Sequence, residues 1–163
     1  MIVLAGRNLA KMEAEKAELD ELGVESYLCK TDIADRAQVQ ALAECAASLG
    51  DVTQVIHTSG VSPSDTATEN IIRINAAGTV NMVEAFYLVL AGGGVMINFS
   101  SVAAYTMPQT DEWTQAFEAW NEPDFYDRLL TLAGEAVSGK TLSSYCMTSA
   151  VKSVGRRVST PFS

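Results

Sequence analysis

The sequence predicts an α/β protein, a parallel sheet wound by helices on both faces. Three observations predict it. Short apolar, β-branched stretches alternate with longer segments of helical character. Capping residues and glycines punctuate the helical segments, and the residues after each strand are small or polar, as at the ligand-facing ends of a parallel sheet. With 163 residues, 48% of them hydrophobic, the chain has the means to bury a core and the length of one domain. Twenty acidic against 11 basic residues give a net charge of −9, which would repel nucleic acid and anionic membranes. The most apolar run, Ala85–Ile97, is too short to span a bilayer and contains Gly92–Gly94. Cys29, Cys45 and Cys146 are odd in number, far apart and set among apolar residues. They are expected to be reduced thiols of a cytoplasmic protein, with no zinc or other metal site.

Taken in order, Met1–Ala5 is the first strand, and Gly6–Arg7–Asn8 turns it into a helix over Leu9–Leu22 with Asn8 as N-cap and Gly23 as stop. Val24–Cys29 is the second strand. Thr31–Asp35 forms a turn, and Asp35 with Gln38 is spaced like a capping box for a helix over Arg36–Leu49, closed by Gly50. Val52–His57 is the third strand, followed by a loop over Thr58–Asp65. Thr66 and Glu69 have capping-box spacing for a long helix, Ala67–Ala91, which three glycines end. Val95–Phe99 is a buried strand running out into Ser100–Ser101. His57, the one histidine, is a strand-end residue expected to be structural.

Between Val102 and Lys140 the alternation gives way to an insertion, about residues 105–140. Thr110 can cap a helix over Asp111–Trp120, and Pro123 can open a second through Leu132. Trp113, Phe117, Trp120, Phe125 and Tyr126 either pack this insertion onto the domain or form a substrate lid or subunit contact. Gly134–Gly139 leads into a last helix, Leu142–Val158, carrying Tyr145. A tyrosine that donates protons wants a cation one helical turn later to lower its pKa. Four residues on stands Ser149; the next lysine along the helix, Lys152, is seven residues on, about 10 Å along the axis on nearly the same face.

Read together, these residues resemble the short-chain dehydrogenase/reductase family, single-domain Rossmann enzymes that move hydride between a nicotinamide and a carbonyl or alcohol. LAGRN at Leu4–Asn8 resembles the end of the family's second strand, where an acid selects NAD; Gly6 stands there instead and Arg7 follows. The resemblance thus implies NADP as cofactor, with Arg7 pairing its extra phosphate. Asp32–Ile33 matches the pair that holds the adenine ring, and Ser59–Gly60 of HTSG stands beside the adenine ribose. INAAG at Ile74–Gly78 resembles the helix of the catalytic asparagine, which makes Asn75 that residue. INFSSVAAY resembles the fifth-strand motif, whose second serine, Ser101, would bond the substrate oxygen. SSYCMTS resembles the tyrosine motif with Ser149 in the lysine's place, and the preceding insertion resembles that of bacterial hydroxysteroid dehydrogenase-like members. The implied reaction has Ser101 orient a carbonyl, Tyr145 give or take its proton, and hydride cross from the nicotinamide to a secondary alcohol or ketone substrate.

The family's first, central strand, its glycine-rich turn and its C-terminal strands have no counterpart in this sequence, and GxxxGxG occurs nowhere. Residues 1–163 are therefore expected to form a partial, Rossmann-like doubly wound sheet with a helical insertion. A gap about 5 Å wide should separate the strand at Met1–Ala5 from that at Val52–His57, with unpaired edges that favour self-association. Two functions follow: an NADP-dependent oxidoreductase impaired at Ser149, or a non-catalytic remnant that binds nucleotide weakly or associates with another chain.

Overall fold

The structure is a computed structural model that describes residues 1–62, 66–106, 110–134 and 139–158. The end of the Thr58–Asp65 loop, the middle of the Gly134–Gly139 connection and the chain after Val158 lie outside the described residues. The elements run β1 (Ile2–Gly6), α1 (Leu9–Glu21), β2 (Ser26–Lys30), α2 (Arg36–Leu49), β3 (Val52–His57), α3 (Thr68–Ile71), a π-helical segment (Ile72–Gly78), α4 (Thr79–Val89) and β4 (Leu90–Asn98). A 3₁₀ turn (Val102–Thr106) then leads to α5 (Asp111–Glu118), α6 (Phe125–Ala133) and α7 (Gly139–Val158).

Local chemistry explains the helix starts. Asn8 Oδ1 accepts from Lys11 N at 3.1 Å, and Asp35 Oδ1 accepts from Ala37 N and Gln38 N at 3.0 and 3.2 Å. Thr110 caps α5 through Trp113 N at 3.5 Å. The expected box at Thr66 does not form. Ala67 is the N-cap of α3 without a side-chain bond, and Thr66 Oγ1 accepts from Asn70 Nδ2 at 2.8 Å instead.

The strands form two separate parallel pairs, β1–β2 and β3–β4, with no ladder joining them. The gap expected between β1 and β3 is thus present. Both pairs nevertheless lie on one apolar layer: Val39, Leu42 and Ala43 of α2 and Met82 and Phe86 of α4 pack with Val55 of β3 and Val3 of β1. Arg36 of α2 and Glu84 of α4 close the rim of that layer at 2.7 Å. The other face of β3–β4 is open, and the register partners Ile56 and Ile97 are 61% and 49% exposed.

Two departures from the sequence reading concern the long helix. It is interrupted by the π-helical segment, and it ends at Val89, where the chain enters β4 directly. The three glycines do not close a helix. They form a bulge within β4: Val52 pairs with Leu90 but Gln54 already pairs with Val95. Glycine is needed there because Gly93 has φ +81° and a Cβ on Gly94 would lie 3.0 Å from Thr53 O.

Candidate active site

Tyr145 sits on α7 behind an aromatic wall supplied by the insertion. Its ring meets Trp113 edge-on at 5.6 Å and Phe117 at 5.8 Å, and Phe117 in turn meets Phe125 at 5.9 Å. The insertion aromatics therefore pack onto the domain at Tyr145 itself, leaving that residue 3% exposed. The cluster continues through Leu142, Cys146, Ala150 and Val154, spaced along the inner face of α7.

Beside Tyr145 opens a cavity of about 320 Å³ lined by Tyr105, Phe117, Thr148, Ser149 and Lys152 among others. Burial raises the Tyr145 pKa above its ordinary value, and a hydrogen bond with Ser149 partly offsets the rise. A neutral serine lowers the cost of a phenolate far less than an ammonium would. Lys152 reaches the same cavity, with its Nζ 5.2 Å from the centre of the Tyr105 ring.

Asn75 lies in the π-helical segment and is fully buried. Its Oδ1 accepts from Val61 N at 2.9 Å; its Nδ2 donates to Val61 O at 3.0 Å and to Ser143 Oγ at 2.7 Å. Ser143 Oγ also donates to Val61 O at 2.8 Å. This network ties the loop after β3 to the first turns of α7, and it brings Asn75, Gly60 and the tyrosine helix together. Gly60 is a close-packed point within it: a Cβ there would lie 3.3 Å from Met147 Sδ and 3.5 Å from Asn75 Oδ1.

Of the two serines after β4, Ser100 faces α7. Its Oγ donates to Ser144 O at 3.0 Å and lies 2.7 Å from Thr148 Oγ1. Ser101 is exposed, accepts from Ala103 N at 3.3 Å, and stands outside the set lining the Tyr145 cavity. The sequence motif singled out Ser101. Ser100, Ser143 and Thr148 were missed because their partners are backbone and side-chain groups distant in sequence.

At the other end, the strand termini hold the remaining candidates. Asp32 Oδ1 accepts from Ala34 N at 3.0 Å, and its Oδ2 lies 3.7 Å from the Arg73 guanidinium. Ile33 is fixed from two sides. Asn81 Nδ2 donates to its carbonyl at 2.9 Å, and its side chain occupies the space a Cβ on Gly78 would fill, 2.9 Å away. Arg7 is exposed after β1, and Ser59 is half-buried. His57 is buried with Nδ1 3.0 Å from Asn98 Oδ1, and its Nε2 has no partner among the described residues. Burial lowers its pKa, against the opposing Asn98 bond. Among the described residues no helix is long and apolar enough to cross a membrane.

The sequence profile of the short chain dehydrogenase family matches residues 1–113. A short-chain dehydrogenase/reductase, bsc3, from Alternaria brassicicola is 36% identical over 78 residues, which cover 48% of this chain and 28% of that protein. An alcohol dehydrogenase from the archaeon Thermococcus sibiricus, solved with 5-hydroxy-NADP, superposes with a TM-score of 0.66 at 16% identity, over 95% of this chain and 59% of that one. A short-chain dehydrogenase/reductase from Burkholderia phymatum, solved with NAD, superposes with a TM-score of 0.56 at 23% identity, over 80% of this chain and 47% of that one. The chain thus spans only part of the length of each relative. A profile match running unbroken from β1 into the first helix of the insertion makes this chain a member of the short-chain dehydrogenase family.

Proposed function

We propose that the chain carries the reacting side of an NADP-dependent oxidoreductase acting on a secondary alcohol or ketone, and that its activity is impaired. One observation carries this reading: Tyr145 borders a cavity with Ser149, not a cation, bonded to it one helical turn away. In this reading Tyr145 exchanges a proton with the substrate oxygen. Ser101, on the turn after β4, orients that oxygen. Asn75 holds the Val61 loop against α7, fixing the height of Tyr145 over the cavity floor. A nicotinamide, when bound, supplies or accepts the hydride.

The residues present fit the adenosine end of such a cofactor. The Asp32–Ile33 turn is held in place by Asn81 and by the missing Cβ of Gly78, and Gly60 is close-packed against Met147 and Asn75. Arg7, exposed after β1, is the residue to pair a 2′-phosphate. Titration of NADPH and NADH, followed by nicotinamide fluorescence, tests this. Arg7→Ala should weaken NADPH roughly tenfold and leave NADH unchanged, a difference of about 1.4 kcal/mol. Equal effects on both would overturn the NADP preference.

A second reading is favoured by the split sheet. Unpaired edges on β1 and β3, with Ile56 and Ile97 exposed beside them, suit a non-catalytic remnant that associates with itself or another chain. Absence of binding by either nucleotide, together with concentration-dependent association in sedimentation velocity, would select it.

A further inference from the structure

Cys29 and Cys45 read in the sequence as distant, independent thiols. The fold brings them together. Cys29 lies on β2 and Cys45 on α2, and their sulfurs are 3.5 Å apart. Both are half-buried, so each retains a solvent-accessible side, whereas Cys146 is buried alone in the cluster behind Tyr145. A disulfide needs its sulfurs about 2.05 Å apart, so closure requires a movement of side-chain rotamer scale. The elements on either side are already fixed. Gln38 Oε1 accepts from Asp32 N at 2.9 Å, Asn81 holds Ile33 O, and Arg36 holds Glu84.

We propose that Cys29 and Cys45 form a dithiol site that closes into an intramolecular disulfide by exchange with a small-molecule disulfide, stapling β2 to α2 across the Asp32–Ile33 turn. The chemistry balances in two steps. The Cys45 thiolate attacks one sulfur of the oxidant RSSR, the oxidant's S–S bond breaks, and one thiol leaves with the proton from Cys45. The Cys29 sulfur then attacks Cys45 Sγ in the mixed disulfide, and the second thiol leaves with the proton from Cys29. The protein loses two electrons and two protons, and RSSR is reduced to two RSH. Burial and the adjacent Cys45 push the Cys29 thiol up to about 11, which disfavours it as the thiolate that makes the first attack and leaves it the resolving thiol, brought to its target by proximity. This site is independent of the nucleotide reading.

The test uses the full chain under native conditions with oxidised glutathione, followed by denaturing alkylation, intact mass and peptide mapping. The expected product is ~2 Da lighter than the reduced chain before alkylation, keeps one alkylatable thiol at Cys146, and yields a Cys29–Cys45 linked peptide. Cys29→Ala should stop at a glutathione adduct on Cys45. The closed form should melt roughly 5 °C higher, reversibly with dithiothreitol. Phenylarsine oxide, which bridges two adjacent thiols with release of water, should protect Cys29 and Cys45 together in the reduced chain. Three alkylatable thiols after oxidation, a persistent glutathione adduct on the unmodified sequence, a link to Cys146, or a lower melting temperature on closure would each overturn the proposal.

Discussion

The two apolar clusters of this molecule differ in what encloses them. Around Tyr145, α3, the π-helical segment, the two insertion helices and α7 supply Ile71, Ile72, Phe117, Leu129, Leu142 and Val154, all nearly inaccessible. Under the strands, α2 and α4 cover one face, α1 packs against β1 and β2, and the sheet is split, with Ile2 of β1 and Ile56 of β3 partly in water. The tyrosine end is therefore expected to be the more stable, with the strand ends resting on the less enclosed half. An enzyme needs both. Under the proposed function, the first cluster would hold the proton donor and the second would support the cofactor.

Substitutions at the two ends sharpen this contrast. Phe117→Ala removes the ring that contacts Trp113, Phe125 and Tyr145 at once, and should cost about 3–5 kcal/mol in urea or thermal unfolding. Asn75→Ala strands Val61 N and Ser143 and should cost roughly 1–3 kcal/mol for the buried group left unpaired. A loss under 0.5 kcal/mol at either position would show that the tyrosine end is not the stable one.

His57 gives a smaller, pH-dependent effect from the β3–β4 pair. Its folded-state pKa lies below the ordinary value, so the unfolded chain binds the proton more readily. Its contribution is complete above about pH 6.5 and is lost as pH falls below it, at up to about 1.4 kcal/mol per pH unit. His57→Gln should flatten that acid-side slope in denaturation midpoints measured across pH. The smallest change in stability is expected on the open face: Ile97→Asn, at a 49% exposed position, should alter it by no more than about 0.5 kcal/mol while reducing self-association in sedimentation velocity.

Much of the strand and helix order was legible because it rests on local chemistry. Asn8, Asp35 and Thr110 cap helices where their spacing places them, and Gly23, at φ +70°, ends the first helix region as a glycine can. The π-helical segment was not legible, because Ile72, Ile74 and Ala76 give the same apolar pattern in either helix type, and the choice is made by Asn75 reaching Val61. Nor was the bulge at Gly92–Gly94, where glycines stop a helix or bend a strand with equal ease and the approach of Thr53 decides. At the site, the placement of Asn75, Gly60 and α7 side by side follows from contacts among residues far apart in sequence. The motif reading named Tyr145 and Asn75 but could not show that Ser143 joins them. It also could not show that Ser100, rather than Ser101, would face the helix.

The account turns on Ser149. The most direct measurement is steady-state reduction of a cyclic ketone with saturating NADPH by the unaltered chain and by Ser149→Lys, each across pH. A lysine one turn from Tyr145 should lower the tyrosine pKa and raise turnover at least tenfold, about 1.4 kcal/mol in the barrier, with the pH profile shifting to the acid side. Equal turnover and an unmoved profile in a variant that still binds NADPH would contradict the claim that the missing cation at position 149 is what holds the activity down.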